Sequence, residues 1–256
     1  MRRLGRTAAA LAAAIVLASA ALQAQPQAES ATPALEPSAM KALTAMGAYL
    51  RSLKAFQVLA DTTDESVLDD GQKVQYSGTV TIVARMPNGL RAEVSDDRYE
   101  RMWLYDGRSF TLFAKRVGLY ATVAAPPTVG ELADALDEQY GLSVPLEDLF
   151  RWGAPGYTTN DISSAADLGP GVVAGTTCQH YAFRQPEIDW QIWIQKGDFP
   201  LPRKLVITTR SDEARPQHTA VYTWNLAPSF NDAAFTFDPP AGAGRVILAR
   251  AAGAGR

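Results

Sequence analysis

At 256 residues, with 47% hydrophobic and 20% charged side chains, the chain has the composition of a folded globular protein, and its single cysteine excludes an internal disulfide. A formal net charge of −3, from 24 basic and 27 acidic residues, offers no basic face for nucleic acid. One cysteine and two histidines also fall short of the four Cys/His ligands of a structural zinc site.

Arg2, Arg3 and Arg6 precede an Ala/Leu/Ile/Val run from Thr7 to Leu22, and small-residue cleavage options follow at 18–20 and 22–24. This is the layout of a secretory signal peptide over residues 1–24. The apolar run, about 15 residues, is shorter than the roughly 20 that a spanning helix needs, so export is expected rather than an integral membrane anchor. Cys178 is far from the cleavage region, so no lipid attachment is expected there. Without residues 1–24 the chain keeps 21 basic and 27 acidic residues, a net charge of −6. In an oxidising compartment a lone thiol is either buried and inert or a pairing partner for another chain, and the first is expected here.

Residues 25–37 are rich in Ala, Pro and polar side chains and read as a flexible leader. Met40, Leu43, Met46, Leu50 and Leu53 then recur at helical spacing, with Ser38 as the expected N-cap. From Phe56 to Val123 six strand-like segments are separated by short connections such as Asp69-Asp70-Gly71, Pro87-Asn88-Gly89 and Asp106-Gly107, the pattern of an antiparallel meander. Asp106-Gly107 is expected to form a type I′ turn. Thr128 and Glu131 make a capping box for a helix whose apolar face holds Val129, Leu132, Ala133, Leu136 and Tyr140. Pro145 suits the first turn of a second short helix carrying Leu146, Leu149 and Phe150.

Strands resume over 171–184, 189–195, 203–210, 217–227 and 234–238, with a last short one at 245–248. Between 189 and 210 the alternation is clear: Trp190, Ile192 and Ile194 on one face, with Leu205 and Ile207 beside them. The fold expected is mainly β: one antiparallel, incomplete β-barrel of about ten or eleven strands, with an N-terminal helix and a mid-chain pair of short lid helices. It occupies residues 38–248 as one domain, followed by a disordered tail at 249–256.

The segments YGLSVPLEDLF, CQHYAFRQPEIDWQIWI, FPLPRKLVITTR and FTFDPPAGA, between Tyr140 and Ala243, resemble a family of predicted periplasmic proteins of unknown function. That family is related to the outer-membrane lipoprotein carrier and receptor proteins of the Lol type. The order of helix, meander, helical insert and return meander resembles the same fold. The resemblance implies an incomplete barrel around a hydrophobic cavity, with Trp190, Ile192, Ile194, Leu205 and Ile207 on its concave side and Leu132, Leu136, Leu146 and Leu149 in the lid. It brings no catalytic residue or cofactor.

Other constellations carry less. Cys178 and His180 share one strand face, but a nucleophile pair needs an orienting third group and an oxyanion pocket, and packing is expected for both. Asp134, Asp137 and Glu138 read as a solvated helix face. Asp61, Asp64, Glu65, Asp69 and Asp70 lack the spacing of a calcium loop. Trp193 lies on the polar-patterned face, where it covers neighbouring side chains or marks a docking surface. The expectation is a soluble periplasmic, non-catalytic protein, with no cofactor or metal, that binds an acyl chain, lipid or lipidated protein in its cavity. The alternative is an accessory module with a filled core that acts through its surface.

Overall fold

Two antiparallel meanders share one sheet. The first comprises β1 (Ala55–Val67), β2 (Lys73–Arg85), β3 (Gly89–Asp96), β4 (Glu100–Tyr105), β5 (Ser109–Ala114) and β6 (Leu119–Ala124). The second comprises β7 (Ser164–Val173), β8 (Thr176–Arg184), β9 (Ile188–Gln195), β10 (Pro202–Thr209) and β11 (Gln217–Asn225). A two-residue β12, Gly244–Arg245, completes the twelve strands, in the order β12-β6-β5-β4-β3-β2-β1-β11-β10-β9-β8-β7. The meanders join where β1 pairs with β11, from Gln57↔Asn225 to Asp64↔His218. The edge strands β12 and β7 do not meet, so the sheet is an open curl instead of a closed barrel. The computed structural model describes residues 34–251. The expected signal peptide, most of the leader and the end of the tail lie outside the described residues.

Alternation decides which side chains turn inward. Trp103, Ala92, Ile82, Val58 and Trp224 are register partners across five strands. Tyr181, Ile192, Leu205 and Ala220 continue this face in the second meander. Apart from Trp224, which is half-buried, these side chains are buried in one core shared with the helices.

Helix α1 (Pro37–Ser52) buries Ala39, Leu43, Met46, Gly47 and Leu50, one stripe at helical spacing. It opens at Pro37 with Glu36 as N-cap, ahead of the start that a Ser38 cap would have set. The proline explains this, because its fixed φ and missing N–H suit a first helical position. The Glu36 carboxylate instead accepts the Asp167 N–H (2.8 Å), while Ala34 and Glu36 bond Ala165 on the edge of β7. Gly47 lies against the backbone of Gly153: a Cβ at Gly47 would stand 2.9 Å from the Gly153 nitrogen. Gly47→Ala is therefore expected to cost about 2 kcal/mol and lower Tm by roughly 5 °C in a thermal melt, whereas Ala48→Ser, on the exposed side, should leave Tm unchanged.

Helix α2 (Val129–Tyr140) begins as its capping box requires. Thr128 Oγ1 accepts the Glu131 N–H (3.2 Å) and donates to its carboxylate (2.8 Å). Helix α3 is shorter than the Pro145 signal suggested, only Asp148–Arg151. Arg51 of α1 holds it by donating to the carbonyls of Leu149 and Phe150.

Four local expectations change. The 171–184 run is a hairpin: Ala174 (φ +45°) and Gly175 (φ +78°) turn the chain between β7 and β8. At the β4–β5 turn only Gly107 has positive φ (+91°), the II′ pattern, while the Asp106 carboxylate accepts the N–H groups of Arg108 and Ser109. Residues 234–238 form no strand. The 3₁₀ turn Asp232–Phe235 and the residues after it cross the outer face, where Phe237 packs against Phe113 (5.3 Å) and Tyr120 (4.9 Å). Their alternating aromatics pack onto the face of the sheet, and Pro239 and Pro240 have no N–H to offer a ladder. The last short strand is Gly244–Arg245, where the sequence pointed to 245–248, and it runs parallel to β6.

Candidate functional site

The helices do not fill the concave side completely. A cavity of about 380 Å³ lies between the sheet and the 141–148 segment. Its floor is apolar at Val80, Val94, Trp103, Leu205 and Tyr222, and its roof is carried by Val144, Pro145 and Leu146. Lining residues come from β4, β3, β2, β1, β11 and β10, so the slot crosses five strand spacings, about 24 Å measured along the sheet.

The roof is positioned by local chemistry. Gly141, in the left-handed region (φ +63°), ends α2, and the Leu142 N–H returns to the Leu136 carbonyl (3.1 Å). Val144 is then buried, which draws the segment onto the core. Leu146 sits at φ +53°, a region that costs a side-chain-bearing residue about 1–2 kcal/mol, so the roof is held in place against local preference.

A second cavity, of about 170 Å³, shares Asp148 and Leu205 with the slot and continues past Ile207 to Trp190 and Ile188. Arg151, Tyr157 and Gln185 connect its lining to a wider, more polar recess of about 660 Å³ beside α2.

Four carboxylates reach the slot, in different circumstances. Asp64 on β1 meets His218 on β11, Oδ1 to Nδ1 at 2.7 Å. Burial alone would raise the carboxyl of Asp96, but the N–H groups of Tyr99 and Arg98 and the Arg98 guanidinium outweigh it and hold the group below the usual range. Glu147 pairs through Oε1 with Arg151 (3.3 Å), and its Oε2 is buried without a partner. Asp148 is pushed up to about 6, first by burial and then by Glu147, against weaker opposing effects of His218 and Arg151. Tyr222 beside it is also raised, by burial and by the Asp148 charge.

Of the residues expected at the site, Leu205, Ile207 and Trp190 line the slot or the second cavity, and Leu146 stands in the roof. Ile192, Ile194, Leu132, Leu136 and Leu149 are buried in the packed core. Of the slot's polar groups only Asp64 stood out in the sequence, and there as part of an acidic cluster without calcium-loop spacing. Strand parity was the available signal, since Asp64, Arg101 and His218 fall on the same alternate positions as Val58, Trp103 and Tyr222.

Cys178 and His180 lie on the other face. The His180 ring stacks on Trp193 (3.8 Å, 10° between planes) and bonds Gln191 through Nε2 (3.1 Å), while Lys204 Nζ stands 4.9 Å from the Trp193 ring. Trp193 thus covers its neighbours and is covered by them. Cys178 is fully buried, and burial raises its thiol above the ordinary range. Native protein should therefore label with N-ethylmaleimide to less than about 10% over an interval that gives complete labelling in denaturant. Rapid native labelling would put an activated thiol at this face. Among the described residues no cluster of three or more His, Cys, Asp or Glu is placed to hold a metal ion, and no helix is long and apolar enough to cross a membrane.

The architecture is that of a mainly β protein whose single open sheet curls around a helical insert and a residual slot. The chain belongs to the DUF2092 family, described as predicted periplasmic protein, whose family model matches residues 39–249. Among solved structures it is similar to an uncharacterized conserved protein from Thermus thermophilus, at 10% identity and TM-score 0.48 over 82% of this chain and 99% of that one. It is also similar to the Mycobacterium tuberculosis lipoprotein LppX, at 10% identity and TM-score 0.45 over 77% and 100%. A LolA superfamily protein from Nitrosomonas europaea aligns at 12% identity and TM-score 0.37 over 78% and 97%. No curated protein matches the sequence.

Proposed function

We propose that the protein is a non-catalytic periplasmic binding protein that holds an acyl chain, a lipid or a lipidated protein in the slot beneath residues 141–148. Export directed by residues 1–24 and a single folded domain over 38–248 belong to the same proposal. The observation that carries it is an apolar-floored slot of about 380 Å³ that adjoins, at Leu205 and Asp148, a second cavity lined by Trp190 and Ile207. A packed core ordinarily leaves few voids larger than a water molecule.

Magnitudes permit a reversible carrier. A chain of about 14 carbons gains roughly 0.8 kcal/mol per buried CH₂, about 11 kcal/mol in all, against association costs of about 4–15 kcal/mol. The accessory-module alternative has little support at Trp193, where His180 and Lys204 already occupy the ring's surroundings.

Titration with a fluorescent fatty-acyl probe tests the proposal. The parent should bind it saturably with Kd at or below about 10 μM, and Val80→Phe, which fills the floor, should lose at least about tenfold in affinity while keeping its fold by circular dichroism. Equal binding by a folded Val80→Phe variant would remove the slot as the site.

A further inference from the structure

We infer that the ligand held in the slot is an amphiphile bearing a primary amine, whose ammonium group meets the Asp148 carboxylate beside the charge of Glu147 while its apolar chain lies along the floor. This rests on the proposed binding role and names the chemistry of the head group.

The first ground is position. Asp148 and Leu205 are the lining residues that the slot and the second cavity have in common, so the carboxyl stands at the boundary of the two. Leu205 is buried on one side of this junction, and Tyr222, Trp152 and Trp190 are buried around it.

The second ground is pairing. Asp64, Asp96 and Glu147 each have a basic partner, namely His218, Arg98 and Arg151. Asp148 takes part in no ion pair among the described residues. Asp148 is half-buried, and a carboxylate partly withdrawn from water without a partner is costly, so such groups are retained where something else neutralises them.

The third ground is the adjacent acceptor. Glu147 Oε2 is buried and receives no hydrogen bond among the described residues, although Oε1 of the same carboxylate is paired. A primary ammonium carries three N–H donors on one compact charge, so at Asp148 it makes hydrogen bonds and also offsets the neighbouring charge of Glu147. A carboxylate or phosphate head at the same point would face two acidic side chains. Arg151, in the adjoining cavity, is already paired with Glu147 and Asp134, and the arginine of the slot, Arg101, is on β4 at the opposite end, stacked 4.3 Å over Tyr99, so an anionic head would find its cation only in the reverse orientation.

The test uses three submicellar probes of equal chain length, dodecylamine, dodecanol and dodecanoate, titrated at pH 7.5 into the parent, Asp148→Asn and Glu147→Gln proteins by calorimetry. The amine is expected to bind the parent at least about tenfold more tightly than the alcohol, an advantage lost in Asp148→Asn and reduced in Glu147→Gln, with the alcohol's affinity unchanged or improved in both. Equal binding of amine and alcohol, tighter binding of dodecanoate, or an amine preference that survives Asp148→Asn would overturn the head-group assignment while leaving the slot as a hydrophobic site. Failure of all three probes to bind the parent would sink the binding proposal itself, and the head-group assignment with it.

Discussion

Ile192→Glu should fail to fold. Ile192 is wholly inaccessible, with Tyr181 and Leu205 as its register partners on either side, and it borders neither the slot nor the second cavity. A glutamate there has no basic partner within the apolar layer and no water to reach. The cost of that unpaired charge is expected to exceed about 4 kcal/mol, comparable with the whole 5–15 kcal/mol of an ordinary domain. Circular dichroism and the soluble yield check this, with Thr177→Glu, at an exposed position near the start of β8, as the control that should fold normally. A soluble Ile192→Glu protein with the parent Tm would mean that this position opens to solvent or to the cavity.

Asp148→Asn should work in the opposite direction and stabilise the protein. In the folded chain the Asp148 carboxyl keeps its proton up to about pH 6, whereas its unperturbed value is 3.8. Between these values the folded state binds more protons than the unfolded state, so stability falls as pH rises from about 4 to about 6 and stays at the lower level above. Asparagine removes that loss. At pH 7.5 the variant is expected to gain on the order of 2 kcal/mol and roughly 5 °C in Tm, while below pH 4 the two proteins should melt together. Denaturant unfolding at pH 3.5, 5 and 7.5 measures the difference directly. Coincident curves at pH 7.5 would mean that the carboxyl is solvated or paired. A stability gain at this site joined to a loss of amine binding would be the trade expected of a group kept for function.

Much of the fold was legible because its signals are local. Thr128 and Glu131 announced α2, the stripe from Met40 to Leu50 announced α1, and the alternation through Trp190, Ile192 and Ile194 showed one face that demanded cover. The errors were local as well. Ala174-Gly175 was passed over as a turn inside a continuous apolar run, and the aromatics at 235 and 237 alternate as a strand does while packing onto a sheet instead of pairing with it. The slot was legible only in part. Its apolar wall at Leu205 and Ile207 follows from period-two patterning, but its polar groups are assembled by the β1–β11 pairing, which brings Asp64 beside His218 across most of the chain. No local spacing encodes that contact. Asp148 was hidden for a different reason: in sequence it is one more acid near a short helix, and only the burial around it marks it out.

The central claim, that the slot holds a hydrophobic ligand, is tested most directly by native mass spectrometry of protein exported to the periplasm and purified without detergent. The parent should carry a reproducible extra mass that solvent extraction releases as an amphiphile, and folded Val80→Phe should not. A parent that arrives at its bare mass, and takes up no added mass when incubated with the dodecyl probes, would contradict the account.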